Sequence, residues 1–153
     1  MKAALNMLAA RSCSEGQLRD RLKAKGWAEP GLVEDCIKRL KELGYVNDDS
    51  FARSYATYRV SSKPLGRARL ARELAARKVS RNSIDGALDL VFGEAPEETL
   101  IDRAIGRRIR SHGPPADRAA AKRMFDHLAR LGFEYDLIAR KLRELKAGIE
   151  ESA

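Results

Sequence analysis

Apolar residues recur along this chain at intervals of three and four, and no stretch alternates apolar and polar residues for long enough to form a half-buried strand. Val33, Cys36, Ile37 and Leu40 fall at i, i+3, i+4 and i+7. Ile84, Ala87, Leu88 and Val91 repeat that spacing. Ile138, Leu142 and Leu145 follow it again, with Lys141 as the one polar substitution. Each set predicts an amphipathic helix with a single buried stripe.

The residues ahead of the three stripes also correspond. The blocks begin at Arg21, Glu73 and His127, and in each a leucine (Leu22, Leu74, Leu128) is followed five residues on by an apolar residue (Trp27, Val79, Phe133). Gly26 and Gly132 stand where a helix end requires a left-handed residue. Lys78 holds that place in the middle copy and predicts a different helix ending there. A further helical segment precedes each block, marked by Leu5, Leu8 and Ala9, by Phe51, Tyr55 and Tyr58, and by Ile101, Ala104, Ile105 and Ile109. The connectors "RSCSEG", "RVSSKPLG" and "RSHGPPADR" carry the Ser, Pro and Gly that interrupt helices.

Corresponding leucines lie 52 and 54 residues apart, so the chain is a degenerate internal repeat whose unit is three helices. A unit of about 50 residues buries little surface alone, and neighbours are expected to stack. The predicted fold is all-α: three tandem three-helix modules, 1–46, 47–95 and 96–153, in an extended, curved arrangement.

The segment "GYVNDDSFARSY" places Asp48 and Asp49 side by side, directly before the helix predicted to start the second module. Adjacent carboxylates suit acid/base chemistry, a metal or a helix start. The third module is introduced by the likewise acidic "GEAPEETL", with Thr99 as a further capping candidate. Recurrence at equivalent places favours capping and the helix dipole over chemistry. Ser14, with Gln17 three residues on, has the capping-box pattern, and Ser80 is another cap. No second polar cluster completes a catalytic site. His112 and His127 have no Cys or His at zinc spacing, and Gly66 precedes "RARL" without a Walker lysine. No catalytic residue, metal or cofactor is expected.

Charge changes the picture more than composition does. Of the chain's net +8, the segment Arg59–Arg81 carries +7, from eight basic residues against one acid, Glu73. Such a run is either a solvated helix face or a surface for something anionic, nucleic acid or an acidic groove. Cys13 and Cys36 are too few for a disulfide framework and predict two reduced thiols. Residues 1–16 lack a long apolar core and a cleavage site, and no run approaches the roughly 18 apolar residues of a membrane span. A cytoplasmic monomer without membrane contact is expected.

From Ala4 to about Ala87 the chain resembles the RecX family, regulatory proteins that act on RecA recombinase filaments. The resemblance rests on "ALNMLAAR" with "SEGQLRDRLKAKG", on "LKELGYVNDDSFARSYATYR" and on "LGRARLARELAARKVS". Its most specific part is Gly44, Tyr45, the Asp48–Asp49 pair, Phe51, Ala52 and Tyr55 in that order. Lys78, where the family usually has glycine, and Asn47 before the aspartates depart from the pattern. The resemblance implies three tandem three-helix modules lying along the RecA–DNA filament groove. Binding there would inhibit recombination, ATP hydrolysis and co-protease activity, and so modulate DNA repair and the SOS response. Under that reading the contacts to RecA, or to single- or double-stranded DNA, are Tyr58, Arg59, Lys63, Arg67, Arg69 and Arg72. Arg69 and Arg72 are three apart and expected to point together. Two other classes remain: a nucleic-acid-binding helical module acting without RecA, which would bind bare DNA with steep salt dependence, and a helical-repeat scaffold for another protein.

Overall fold

The computed structural model describes residues 1–26 and 29–153. Trp27, the apolar residue of the first repeat copy, lies outside the described residues. Among the described residues all regular structure is helical, in three successive trios. The first is α1 (Lys2–Ala10), α2 (Glu15–Ala24) and α3 (Pro30–Glu42). The second is α4 (Asp48–Ser62), α5 (Arg67–Ala76) and α6 (Arg81–Glu94). The third is α7 (Glu97–His112), α8 (Arg118–Arg130) and α9 (Tyr135–Ser152). By packing, the chain divides into two compact units, Met1–Tyr55 with Arg72–Ala87, and Ala56–Ala71 with Leu88–Ala153, so each helix of the middle trio contributes to both.

The first unit contains a core of Leu18 and Leu22 from α2, Val33, Ile37 and Leu40 from α3, and Ala4, Cys13 and Val46. The α3 stripe is thus as its spacing predicts, with Cys36 half-buried at its edge. Each fully buried leucine or isoleucine contributes about 1.5–3 kcal/mol relative to an exposed one. On α1 the buried position is Ala4; Leu5 and Leu8 are half-buried and Ala9 is exposed, so the helix lies one position away from the face expected. Burial also holds the Cys13 thiol above its ordinary pKa.

In the second unit the buried side chains include Leu65 and Leu70, Leu100, Ile101, Ala104 and Ile105 of α7, Met124 and Leu128 of α8, and Ile138 of α9. Lys141, the polar interruption of the α9 stripe, is only 12% exposed and reaches Asp102 on α7 at 3.0 Å. On α6, Ile84, Ala87, Leu88 and Val91 are all buried as their spacing predicts.

The middle trio departs from expectation at α4. Its buried stripe is Ala52, Ala56 and Val60, at successive i+4 positions, while Phe51 and Tyr55 are half-buried beside it and Tyr58 is 68% exposed. The helix also runs through "RVSS" instead of ending there. Ser61 and Ser62 turn their hydroxyls back onto the Tyr58 carbonyl, at 2.8 and 2.9 Å, and so remain helical.

The ends of α3, α5 and α8 are the same Schellman turn. The amide two residues past the helix cap donates to the carbonyl five residues back: Tyr45 to Leu40, Val79 to Leu74, Phe133 to Leu128. In the second and third copies the leucine-plus-five repeat of the sequence, Leu74–Val79 and Leu128–Phe133, is therefore the pair that closes a helix end. Gly44 and Gly132 take the left-handed conformation there, and so does Lys78, with φ 61°. The middle copy was expected to end differently. It ends identically, at a steric cost of about 1–2 kcal/mol for a residue with a Cβ.

Candidate functional site

Neither aspartate of the signature caps its own helix. α4 begins at Asp48, so both aspartates lie inside the helix they were expected to precede, and Asn47 is the cap: its side-chain oxygen accepts from Ser50 N at 3.1 Å. Asp48 and Asp49 occupy the first turn, where the helix dipole favours them, and their oxygens leave the helix. Asp48 Oδ1 accepts the Glu15 amide at 2.8 Å, the first residue of α2. Asp49 Oδ1 accepts the Ser83 hydroxyl at 2.6 Å, in the first turn of α6. Phe51 stacks on Tyr55 at 6.2 Å between centroids. Tyr55 in turn donates to Glu73 at 2.8 Å and lies 4.3 Å beneath the Arg77 guanidinium.

The second unit repeats the first of these contacts. Glu97, first residue of α7, accepts the amide of Arg67, first residue of α5, at 2.6 Å. In both places the first carboxylate of one trio caps the second helix of the trio before it. Thr99, a capping candidate by sequence, lies inside α7. Burial, with Glu134 nearby, raises the Glu97 pKa against the lowering effect of the Arg67 amide.

A second contact also recurs. The Ser14 hydroxyl donates to the carbonyl of Arg77, and the Gly66 amide donates to the carbonyl of Leu131 at 2.8 Å. Ser14 additionally accepts from Gln17 N within its capping box. Both contacts bring the start of one trio's second helix against the Schellman turn of the next; the first has a glycine on the second-helix side, Gly16, and the second has one on each side, Gly66 and Gly132. A Cβ on Gly132 would lie 2.3 Å from Arg69 Cβ, and one on Gly16 would lie 2.6 Å from Lys78 Cβ. The first contact has its glycine on the α2 side alone. Hence Lys78 keeps its side chain, which pairs with Asp20 and lowers that carboxyl's pKa.

The six basic-segment residues do not form one class. Arg67 pairs with Asp89 at 2.7 Å, and Arg69 donates to the Arg130 carbonyl at 3.0 Å, so both fasten α5 within the second unit. Arg59 is half-buried; Tyr58, Lys63 and Arg72 are exposed. Arg69 and Arg72 belong to different units.

What the segment-by-segment charge count missed is a second basic group in the second unit. A hollow of about 210 Å3 is lined by Lys63, by Arg107, Arg108 and His112 of α7, and by His127 of α8. The signal was present as "GRRIRSH" on one helix, but the balancing acids of the same helix hid it in the net charge. The two histidines, separated by 15 residues and dismissed as metal ligands, face this one hollow.

Tandem trios of helices, the second and third each pinned by a first-turn carboxylate to the second helix of the trio before it, define an all-helical repeat protein with exposed basic side chains. Residues 1–40 match the family model "RecX, first three-helix domain" and residues 47–88 match "RecX, second three-helix domain". The regulatory protein RecX of Treponema pallidum (strain Nichols) is 40% identical over 124 residues, 80% of this chain and 75% of that protein. That of Halorhodospira halophila is 34% identical over 137 residues, 89% of this chain and 81% of that protein. The crystal structure of RecX from Lactobacillus salivarius has the same fold, with a TM-score of 0.76 at 21% identity over 95% of this chain and 94% of that one. The chain belongs to the RecX family.

Proposed function

We propose that this chain regulates RecA recombinase by binding along the groove of the RecA–DNA filament. Recombinase, ATPase and co-protease activities would fall together, because a protein seated there obstructs the second DNA strand and the subunit motions of ATP turnover. The observation that carries the reading is the succession of two RecX domains over residues 1–88, with relatives that are regulatory proteins by name. The modules 1–46, 47–95 and 96–153 would each meet a different part of the filament, as stacked repeats do with extended partners. The protein would act as a cytoplasmic monomer. No described helix is long and apolar enough to cross a membrane.

Tyr58, Lys63 and Arg72, exposed as they are, are proposed as the contacts from the basic segment. Arg59, half-buried, and Arg67 and Arg69, already fastened inside the second unit, would support them. Asp48, Asp49 and Phe51 would serve the fold.

The test is ATP hydrolysis by the cognate RecA on single-stranded DNA, titrated with the wild type and with a Tyr58→Ala, Lys63→Ala, Arg72→Ala variant. Wild-type inhibition, weakened about tenfold in the variant (roughly 1.4 kcal/mol of binding), is expected. No inhibition at any ratio, together with salt-sensitive binding to bare DNA, would reject the reading in favour of a nucleic-acid module acting without RecA.

A further inference from the structure

α7 changes character along one face. Leu100, Ile101, Ala104 and Ile105 are buried. One and two turns further on, the positions that continue this stripe are Arg107, Arg108, Ser111 and His112. A helix serving only the core would carry apolar residues there. Lys63, which follows the end of α4, and His127, in the last turn of α8, reach the same hollow, whose apolar part includes Ala104 and Leu131.

The simplest alternative is that these cations only neutralise helix ends, since α4, α7 and α8 all finish near the hollow. Magnitudes decide against it. Each helix end carries about half a negative charge, roughly one and a half in total. Lys63, Arg107 and Arg108 alone bring three positive charges, and none has a carboxylate within ion-pair distance among the described residues. Arg130, also on α8, adds a fourth nearby. Burial comes first, and the charges of Arg108, Arg130, Lys63 and His112 follow, in holding the His127 imidazole below its ordinary pKa. The hollow is therefore a place of uncompensated positive charge.

We infer that the Lys63–Arg107–Arg108–His112–His127 hollow is a binding site for a phosphate group, carried on a nucleic-acid backbone or on a free nucleotide. Two guanidiniums, an ammonium and two imidazoles offer more donors than one carboxylate can accept, whereas a phosphate presents several acceptor oxygens and matches guanidinium forks. A concave site of this size admits one such group with its donors around it. The inference stands on the second unit alone and does not require RecA.

The experiment compares the full chain with Arg107→Gln/Arg108→Gln and with a charge-matched control, Arg103→Gln/Arg110→Gln, whose exposed arginines lie on the same helix but outside the hollow. Binding of a fluorescent single-stranded oligonucleotide is followed by anisotropy across a salt series. The His112 and His127 ring resonances are followed by NMR during titration with inorganic phosphate and with ATP. His127→Gln provides a second, single-site variant in case the double variant folds poorly. Expected are a loss of oligonucleotide affinity about tenfold greater in the hollow variant than in the control, a salt slope shallower by about one to two, and histidine shifts on adding ligand. Tighter binding of oligonucleotide than of ATP assigns the phosphate to a nucleic-acid backbone, and the reverse assigns it to a nucleotide; both support the site. Equal losses in the two double variants, with histidine resonances unmoved by any of the three ligands, would overturn it.

Discussion

Replacing Asp48 with alanine separates a carboxylate that caps its own helix from one that caps a distant helix. The Asp48 side chain accepts the Glu15 amide at 2.8 Å, and Ser14 at the same helix start accepts Gln17 N at 3.1 Å. Loss of a side-chain acceptor at a helix start costs about 1 kcal/mol. Loss of a partly buried negative charge from two helix N-termini, α2 and its own α4, adds about 0.5–1 kcal/mol. The expected destabilisation of Asp48→Ala is about 1.5–2 kcal/mol, or roughly 1 M in urea midpoint for an m-value of about 2 kcal/mol/M. Asp48→Asn keeps an acceptor oxygen but not the charge, and should lose about half as much. Urea unfolding followed by circular dichroism gives the totals. Amide hydrogen exchange locates them: the Glu15 amide should exchange about tenfold faster in Asp48→Ala, while Asn47→Ala should open the first turn of α4 instead. If Asp48→Ala loosened α4 and left the Glu15 amide protected, the proposed contact between trios would be wrong.

Other consequences follow from the same contacts. Lys78→Gly relieves a left-handed residue at φ 61° and should stabilise the chain by about 0.5–1 kcal/mol after the flexibility of glycine is counted, since the exposed pair with Asp20 offsets little. Gly132→Ala should do the opposite, by about 3 kcal/mol or more, because φ is 96° and the new Cβ would meet Arg69 at 2.3 Å; thermal unfolding of the pair of variants checks both signs. Burial first, and then the charges of Arg108, Arg130, Lys63 and His112, hold the His127 folded pKa below its unfolded value. The unfolded chain therefore binds more protons in that window, and stability should fall as pH drops through about 6.5 toward the lower folded pKa. The Tm of His127→Gln should be flatter than that of the wild type between about pH 7.5 and 5.5, and an unchanged slope would contradict the half-buried, cationic surroundings described.

Much of the architecture was legible because its signals are local. The three-and-four spacing of Val33, Ile37 and Leu40 follows from the geometry of one helix. A capping box at Ser14 and Gln17 needs only four consecutive residues. The Leu74–Val79 and Leu128–Phe133 pairs are set by a single turn. Even the failures at this level have local causes: Ser61 and Ser62 read as a break because their hydroxyls usually compete with the helix, whereas here they bond back within it. Lys78 read as a different ending because the sequence does not show that Gly16, 62 residues earlier, supplies the missing room.

Helicity, the grouping of the helices in repeated trios, and where most of them start and stop all follow from the order of residues, since backbone hydrogen bonding and amphipathic spacing are settled within a few residues. Packing sets what the paired aspartates hold, because the Asp48 acceptor and its donor are 33 residues apart and meet through docking. It also decided that Arg67 and Arg69 fasten helices while Lys63 faces a basic hollow. Charge in a sequence is a sum along the chain; the field that a partner meets depends on which charges already have neighbours, and packing alone fixes that.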